Sequence, residues 1–350
     1  MNKPMVLVIH GMGTHKPGET KKSIADGLNQ AAKNFGISNF DINDKVEFFQ
    51  FNYSDFLDEI RLKDAEKAGA LVKHISLLKG QGLGEKASTK LIEFFDGLDE
   101  DKVFNTHLMD VIYYGLMFWG EKIRVDLAKK INDLMIEREH DNRKLHIVSH
   151  SLGTAVLHDT LSKLFRKDTD ITSKVPQLDV DRFQIDSIWT VANVSRLVNL
   201  LNDISDPNHS IVKSDHGGCT DFLYNIRNEF DPFTWFKQYN RPINEGGRHI
   251  KVKTVRKIDT HDLKEYMEAP AVAEAFLSNV LDISISDEQY TQGVDKHALT
   301  GINYSYDQLK DKFDSLHEQD EPMDKFQAIL NVLDAADSFH DQIKEMKEQA

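Results

Sequence analysis

The sequence lacks the features that mark secreted and membrane-spanning proteins. Its single cysteine, Cys219, excludes an internal disulfide. The few residues before the first expected strand, at residue 5, leave no room for the charged and apolar regions of a signal peptide. The longest apolar run, residues 111–119, is interrupted by Gly115 and is far shorter than the ~20 residues that a membrane-spanning helix needs. We therefore expect a cytoplasmic protein without a transmembrane segment.

Positively charged side chains are in the minority. The chain has 43 Lys and Arg against 57 Asp and Glu, which gives a formal net charge of −14 over 350 residues. This balance opposes binding to nucleic-acid phosphates or to an anionic membrane surface. We therefore do not expect nucleic acid among the partners of this chain.

The sequence does contain a regular alternation of short apolar strands and amphipathic helices. Such alternation is typical of βαβ units, so we predict an α/β fold with a mainly parallel sheet and helices on both faces. The whole chain, residues 1–350, is interpreted as a single domain. In such sheets, sites form at the carboxyl ends of the strands, so the residues that follow each strand are the candidates. The predicted strands are residues 5–10, 45–52, 145–149, 184–192, 221–226 and 249–255.

The interval from residue 54 to residue 142 is helical in pattern throughout and too long for one crossover helix. Its last part, residues 102–139, is predicted to lead into the third strand. Residues 56–98 are interpreted as an inserted helical cap or lid. Helices packed on the sheet edge would bury the same apolar faces and are the alternative.

Two further segments have simpler interpretations. Residues 320–350 predict a C-terminal amphipathic helix with Pro322 in its first turn, docked on the rest of the chain, on a second subunit or on a protein partner. The glycine-rich residues 80–84 lack a preceding strand and a following Lys-Ser/Thr, so we do not predict a phosphate cradle.

The stretch LHIVSHSLGT, residues 145–154, combines a strand, a sharp turn and the start of a helix. This is the context of a nucleophile elbow, in which a strained backbone projects a serine hydroxyl above the sheet. The serine here is Ser151. The positions two before and two after it must be small, and they are Ser149, where glycine is usual, and Gly153.

The first strand ends in HGMGTH, residues 10–15, whose two glycines allow a tight turn with exposed backbone amides. A tetrahedral intermediate of acyl transfer needs two or more donors fixed where negative charge develops. We predict that the amides of Met12 and Leu152 form this oxyanion hole.

A serine hydroxyl needs a base to take its proton, and the base needs an acceptor that holds its tautomer. Asp231 follows the fifth strand, with Pro232 stiffening its loop, and His261 follows the sixth. The order Ser151, Asp231, His261 is the nucleophile–acid–base order of one hydrolase class. The competing bases are His10, His15, His150, His158 and His249, and the competing acids are Asp206, Asp215, Asp221, Asp259 and Asp262.

A metal site is not predicted. The segment His216-Gly217-Gly218-Cys219 offers one His/Cys pair, whereas zinc binding needs three or four ligands. We interpret this segment as a turn.

Through VLVIHGMG, IVSHSLG, the Asp-Pro after the fifth strand and the His after the sixth, the chain resembles the α/β-hydrolase superfamily over residues 5–280. The pairing of HGMG with SHSLG is similar to the lipase and esterase branches, including intracellular phospholipases. The resemblance implies a sheet of eight strands or slightly fewer, a triad of Ser151, Asp231 and His261, and no cofactor. Ser149 in place of glycine and the long insert depart from the usual pattern.

The predicted activity is that of a serine hydrolase that cleaves a carboxylic ester through an acyl-enzyme. A thioester or an amide would pass through the same intermediate and stays open. If residues 56–98 are a lid, their apolar side chains with Tyr113, Tyr114, Phe118 and Trp119 would line an acyl pocket, which favours lipid-like or long-chain substrates. The alternative from another class is a non-catalytic binding or scaffold module with a hydrolase fold.

Overall fold

The computed structural model describes residues 2–299, with the exception of residues 14, 67–109, 112, 116–118, 176–183, 236, 254 and 257–258. The predicted C-terminal helix at residues 320–350, the glycine-rich residues 80–84 and most of the predicted cap at 56–98 lie outside the described residues. The helix Ser54–Glu66 contains the beginning of that cap segment.

The described strands form one sheet of six strands, and all neighbouring pairs are parallel. The strands are β1 (Met5–Ile9), β2 (Glu47–Phe51), β3 (Leu145–His150), β4 (Ile185–Val191), β5 (Thr220–Asn228) and β6 (Gly247–Val252). Their order across the sheet is β2-β1-β3-β4-β5-β6. The predicted α/β class with a parallel sheet is confirmed, and each predicted strand is present.

Strand boundaries differ by a few residues from the sequence prediction. β5 extends two residues beyond the predicted end at residue 226, because Asn228 still pairs with Val252 of β6. β6 in turn stops at Val252, before the predicted end at residue 255. Pairing with a neighbour therefore decides where these strands end.

Helices cover both faces of the sheet. Over the described ranges they include α1 (Glu19–Asn34), α2 (Ser54–Glu66), α3 (Trp119–Asp141), α4 (Leu152–Phe165), α5 (Thr169–Thr172), α6 (Ser195–Asn202), α7 (Leu263–Glu268), α8 (Pro270–Leu281) and α9 (Asp287–Ala298). α3 occupies most of the predicted crossover at residues 102–139, and α4 begins directly after the predicted elbow. A capping box of Ser286 and Gln289 fixes the start of α9.

The core has two halves, one on each face of the sheet. Met5, Leu7 and Ile9 of β1 point to the face covered by α3, α4 and α6, while Val6 and Val8 point to the face covered by α1, α7 and α8. All five side chains are fully buried. A parallel strand that is covered on both faces needs a continuous apolar run, which is what MVLVI supplies.

A row of polar side chains crosses four neighbouring strands. Ser149 lies opposite Thr190, Thr190 opposite Asn225, and Asn225 opposite His249. Thr190 Oγ1 donates to Asn225 Oδ1 over 3.0 Å, and the Asn225 side-chain amide lies 3.1 Å from His249 Nδ1. Because all strands are parallel, the residues that follow β1, β3, β5 and β6 meet at the edge formed by the carboxyl ends of the strands.

No helix among the described residues is both long enough and apolar enough to cross a membrane.

Candidate active site

Ser151 lies in the turn between β3 and α4 with a strained backbone. Its φ is 52° and its ψ is −125°, which places it outside the left-handed helical region that Asp203 and Asp282 occupy. Hydrogen bonds hold the residue on both sides, since its amide donates to Val191 O over 2.9 Å and its carbonyl accepts from the Thr154 hydroxyl over 2.6 Å. Such conformations cost of the order of 1–3 kcal/mol and persist only where the surroundings impose them.

The turn depends on small residues around the serine. A Cβ added to Gly153 would lie 2.4 Å from the carbonyl oxygen of His10, and one added to Gly11 would lie 2.8 Å from Ser151 Cβ. Ser149 stands where glycine is usual, yet it fits the turn. Its side chain is fully buried, and its hydroxyl donates to the Trp189 carbonyl over 3.3 Å.

The carboxylate of Asp231 and the imidazole of His261 are hydrogen-bonded. Asp231 caps the short 3₁₀ helix Pro232–Thr234, where its Oδ1 accepts from the Phe233 amide over 3.1 Å. Its Oδ2 lies 2.7 Å from His261 Nδ1. A carboxylate only accepts, so Nδ1 carries the proton and Nε2 of the neutral ring keeps its lone pair. This is the tautomer that a general base needs.

The electrostatic surroundings of His261 favour its protonated form. Burial acts to lower the pKa of this imidazole, but the hydrogen-bonded Asp231 and the nearby carboxylates of Asp259 and Asp262 outweigh it, so the pKa is raised above 6.5. The Asp259 carboxylate also accepts from the backbone amide of His261 over 2.9 Å. The site therefore stabilises the imidazolium that proton transfer would create.

His261 is anchored beside the elbow by the neighbour of Ser151. His150 Nε2 donates to the backbone carbonyl of His261 over 2.9 Å, and the two ring centres are 4.8 Å apart. The Phe233 ring packs against His261 at 4.6 Å. These contacts leave the Nε2 edge of His261 as the unbonded part of its ring.

Two buried polar atoms at this edge have no hydrogen-bond partner among the described residues. They are Ser151 Oγ and His261 Nε2, both buried. Hydrogen bonds between catalytic groups are often long in a free enzyme and shorten in the complex. The side chain of Ser151 is fully buried.

The turn after β1 is held by His10 and Tyr53. His10 Nδ1 donates to the Gly11 carbonyl over 2.7 Å, and its Nε2 accepts from the Tyr53 amide over 3.0 Å. The Tyr53 hydroxyl donates to the carbonyls of His10 and Gly11 over 3.0 and 2.9 Å. Beyond Met12, the amide of Gly13 donates to the buried Asp110 carboxylate over 2.7 Å. The backbone on both sides of Met12 is therefore fixed.

The two amides predicted to form an oxyanion hole are free to donate. Within the described part of the chain, neither the Met12 N–H nor the Leu152 N–H has a hydrogen-bond acceptor. Met12 and Leu152 are both buried, so water competes little for these donors. Their loops meet beside Ser151, where Gly11 touches the serine.

The competing histidines and aspartates have other partners or other places. Asp206 caps a 3₁₀ helix and binds His209, Asp221 accepts from Gln184 on the surface, and His249 lies 2.9 Å from the Arg241 carbonyl oxygen. His158 lies on α4, beside a cavity that Tyr239 also lines.

Four of the competing residues lie around the site itself. They are Asp259, Asp262, His10 and His150. Asp215 forms an ion pair with Lys213, and His15 lies 2.9 Å from the Met12 carbonyl oxygen.

Sequence reasoning missed several residues that shape the site. Tyr53, Asp110 and Tyr266 contact it from segments far away along the chain, and no local motif marks them. His10 and His150 stand in the motifs themselves. The position of His150 in the elbow predicts that it packs against or orients the turn, but the pattern does not indicate its hydrogen bond to the His261 carbonyl.

The segment His216-Gly217-Gly218-Cys219 includes a turn, and Cys219 is buried. Over the described ranges, no group of three or more His, Cys, Asp or Glu side chains is arranged to hold a metal ion. These residues therefore contribute no ligand cluster to the site.

The chain matches no protein-family model, and no curated protein matches it either. Its chemistry is therefore inferred from the arrangement of its own residues. That arrangement is a strained serine, a hydrogen-bonded Asp–His pair and two free amides at one edge of a parallel sheet.

Proposed function

We propose that the chain is a serine hydrolase of the α/β-hydrolase type that cleaves carboxylic esters. The observation that carries this proposal is the 2.7 Å bond between Asp231 and His261, anchored beside the strained turn of Ser151. A buried, oriented base next to a serine on a sharp turn is the arrangement that activates a hydroxyl for acyl transfer. The free amides of Met12 and Leu152 add the donors that the developing oxyanion needs.

The first half of the reaction forms an acyl-enzyme. Ser151 Oγ attacks the carbonyl carbon of the ester while His261 Nε2 accepts the hydroxyl proton. The carbonyl oxygen becomes an oxyanion, which accepts from the amides of Met12 and Leu152. When the intermediate collapses, the bond to the alcohol oxygen breaks and His261 returns its proton to that oxygen. Asp231 keeps Nδ1 protonated and stabilises the imidazolium throughout.

The second half repeats these steps with water. His261 Nε2 takes a proton from a water molecule, whose oxygen attacks the acyl carbon of the acyl-enzyme. The bond to Ser151 Oγ then breaks, and the proton passes from His261 to the serine. The products are a carboxylic acid and free enzyme, so no oxidant, reductant or further co-reactant is consumed.

Three of the four aromatic side chains named as candidates for an acyl pocket pack in or against the core. Tyr113 and Tyr114 are buried in the core, and the Tyr114 hydroxyl donates to Asp159 over 2.7 Å. Trp119 packs edge-on against Tyr113. These three aromatic side chains thus have packing roles, while Phe118 lies outside the described residues. The preferred acyl length is therefore to be measured with esters of increasing chain length.

The proposal is tested by covalent labelling with a fluorophosphonate probe and by hydrolysis of p-nitrophenyl esters of increasing chain length. We expect intact-mass and peptide analysis to place the adduct on Ser151, and Ser151→Ala to lose both labelling and hydrolysis. Ser162→Ala, which removes a buried hydroxyl from α4, is the matched control and should retain both. Thioester and anilide substrates run in parallel decide between ester, thioester and amide. If the wild-type chain neither reacts nor cleaves any substrate over hours, the scaffold alternative is favoured instead.

A further inference from the structure

Asp231 has a second buried partner besides His261. The hydroxyl of Tyr266, on α7, lies 2.6 Å from Asp231 Oδ2, which is the same oxygen that accepts from His261 Nδ1. Tyr266 is 1 % exposed and Asp231 is fully buried. The two hydrogen bonds therefore share one carboxylate oxygen away from water.

The direction of the Tyr266 hydrogen bond is fixed by a third group. The backbone amide of Asn228 donates to the Tyr266 oxygen over 3.0 Å. An amide can only donate and a carboxylate can only accept, so the phenol proton must point to Asp231. Burial and the nearby Asp231 charge raise the pKa of Tyr266 well above its ordinary value of 10.0. The phenol therefore stays protonated and remains a donor.

We propose that Tyr266 is a positioning residue that sets the basicity of His261 by sharing Asp231 Oδ2 with it. A hydrogen bond to a carboxylate withdraws negative charge from the oxygen that accepts it. The imidazolium of His261 is then stabilised less than it would be by Asp231 alone. Tyr266 also holds the carboxylate in one rotamer, since Phe233 N fixes Oδ1 and the hydroxyl fixes Oδ2.

The other groups that act on His261 stay in place when only the hydroxyl is removed. They are the carboxylates of Asp231, Asp259 and Asp262 and the imidazole of His150. A change in the titration of His261 in Tyr266→Phe can therefore be assigned to the lost hydrogen bond. The role in catalysis rests on the proposed hydrolase function, but the effect on the imidazole does not.

The direct test is NMR titration of the histidines, labelled with ¹³C at Cε1, in the full chain. The His261 signal is assigned by its loss in His261→Gln. We expect Tyr266→Phe to move the His261 titration to higher pH. In the hydrolysis assay the acid limb of kcat/KM should move in the same direction, with activity on that limb reduced about threefold to tenfold, because a base must be deprotonated to act.

The matched control is Tyr114→Phe. It removes another buried phenol that donates to a buried carboxylate, Asp159, over 2.7 Å. We expect this variant to leave the His261 titration where it is in the wild type. A purely structural role for Tyr266 would lower activity equally at all pH values and leave the titration unmoved, and that result would overturn the proposal.

A second variant keeps the test decisive if Tyr266→Phe folds poorly. Incorporation of 3-fluorotyrosine at position 266 makes the phenol a stronger donor, so the His261 titration should move to lower pH. Opposite shifts for the two variants support the proposal, and an unchanged titration in the fluorinated protein contradicts it. If the titration shifts but no substrate is cleaved and no probe reacts, the proposed function fails while the influence of Tyr266 on His261 stands.

Discussion

The pKa values of buried histidines on two sides of the same sheet edge are shifted in opposite directions. On the side of the Ser151 turn, called here the elbow side, burial lowers the pKa of His10 to about 3 and that of His150 well below its ordinary value of 6.5. On the side of Asp231 and His261, called here the acid–base side, the pKa of His261 is raised despite the burial of its ring. The difference arises because His261 faces Asp231, Asp259 and Asp262, whereas His10 and His150 are next to other histidines.

This difference shows that burial alone turns a histidine into a fixed neutral group. His10 and His150 each use a ring N–H to bind a backbone carbonyl, and neither needs to take up a proton for that purpose. A base must hold a proton during the reaction, which requires nearby negative charge. In the proposed reaction, the elbow side therefore supplies geometry, and the acid–base side supplies proton transfer.

The sharpest separation of the two sides is a pair of histidine variants. His261→Gln removes the base and should lower kcat by on the order of 10⁴–10⁶-fold, as loss of a catalytic histidine does in serine hydrolases. His150→Phe keeps a ring but loses the donor to the His261 carbonyl, and we expect a loss of about tenfold to a hundredfold from misplacement of the base. Rates are measured with the ester that shows Ser151-dependent hydrolysis. A larger loss in His150→Phe than in His261→Gln would reverse the assignment.

Neutralising the acid is the next largest change. Asp231→Asn should lower kcat by about 10³–10⁴-fold, because the amide neither fixes the His261 tautomer nor stabilises the imidazolium. The pKa of His261 should fall in the same variant, which histidine NMR measures directly.

Asp206→Asn is a closely matched control for this change. Asp206 also caps a 3₁₀ helix that begins with proline, and its carboxylate lies 2.9 Å from His209 Nδ1, but it is partly exposed. Its replacement should change kcat by less than about twofold, as expected for an exposed pair. Equal losses in the two aspartate variants would show that Asp231 has only a structural role.

A smaller effect is expected in the loop after β1. Tyr53→Phe removes the hydroxyl that binds the carbonyls of His10 and Gly11, so the Met12 amide is held less firmly. Loss of a whole oxyanion donor costs about 10²–10³ in rate, and we expect loosening of the loop to cost about tenfold in kcat. The measurement is kcat and KM for the same ester, with Tyr114→Phe as control. A change confined to KM would argue against a role in stabilising the oxyanion.

The strands could be predicted because each one buried on both faces needs an apolar run, and these runs are separated by polar helical patterns. The order of the strands could not, since β1 lies between β2 and β3 through contacts that no local pattern encodes. The elbow and the strand ends led to Ser151, Asp231 and His261, and the structure places these residues at one edge. Tyr266, Tyr53 and Asp110 reach the site from 35, 42 and 97 residues away from their partners, so only the folded chain reveals them.

The two kinds of histidine should also affect stability with opposite signs. His146, at the start of β3, resembles His10, since burial lowers its pKa to about 3. In the unfolded chain such a histidine binds a proton near its ordinary pKa of 6.5, so the free energy of unfolding falls as the pH drops from 6.5 towards 3. Each such residue contributes about 1.4 kcal/mol per pH unit in this window.

His261 has a raised pKa, so its contribution is fully present below pH 6.5 and is lost as the pH rises through its folded pKa. Urea unfolding at several pH values therefore separates the two kinds. His146→Asn should reduce the dependence on the acid side by about 1.4 kcal/mol per pH unit, and His261→Gln should change only the side above pH 6.5. Carboxylates away from the substituted histidine titrate alike in wild type and variant, so the difference in slope comes from the histidine and the carboxylates that it contacts, such as Asp259. The same direction of change in both variants would mean that His261 is, like His146, a buried neutral histidine and not a base.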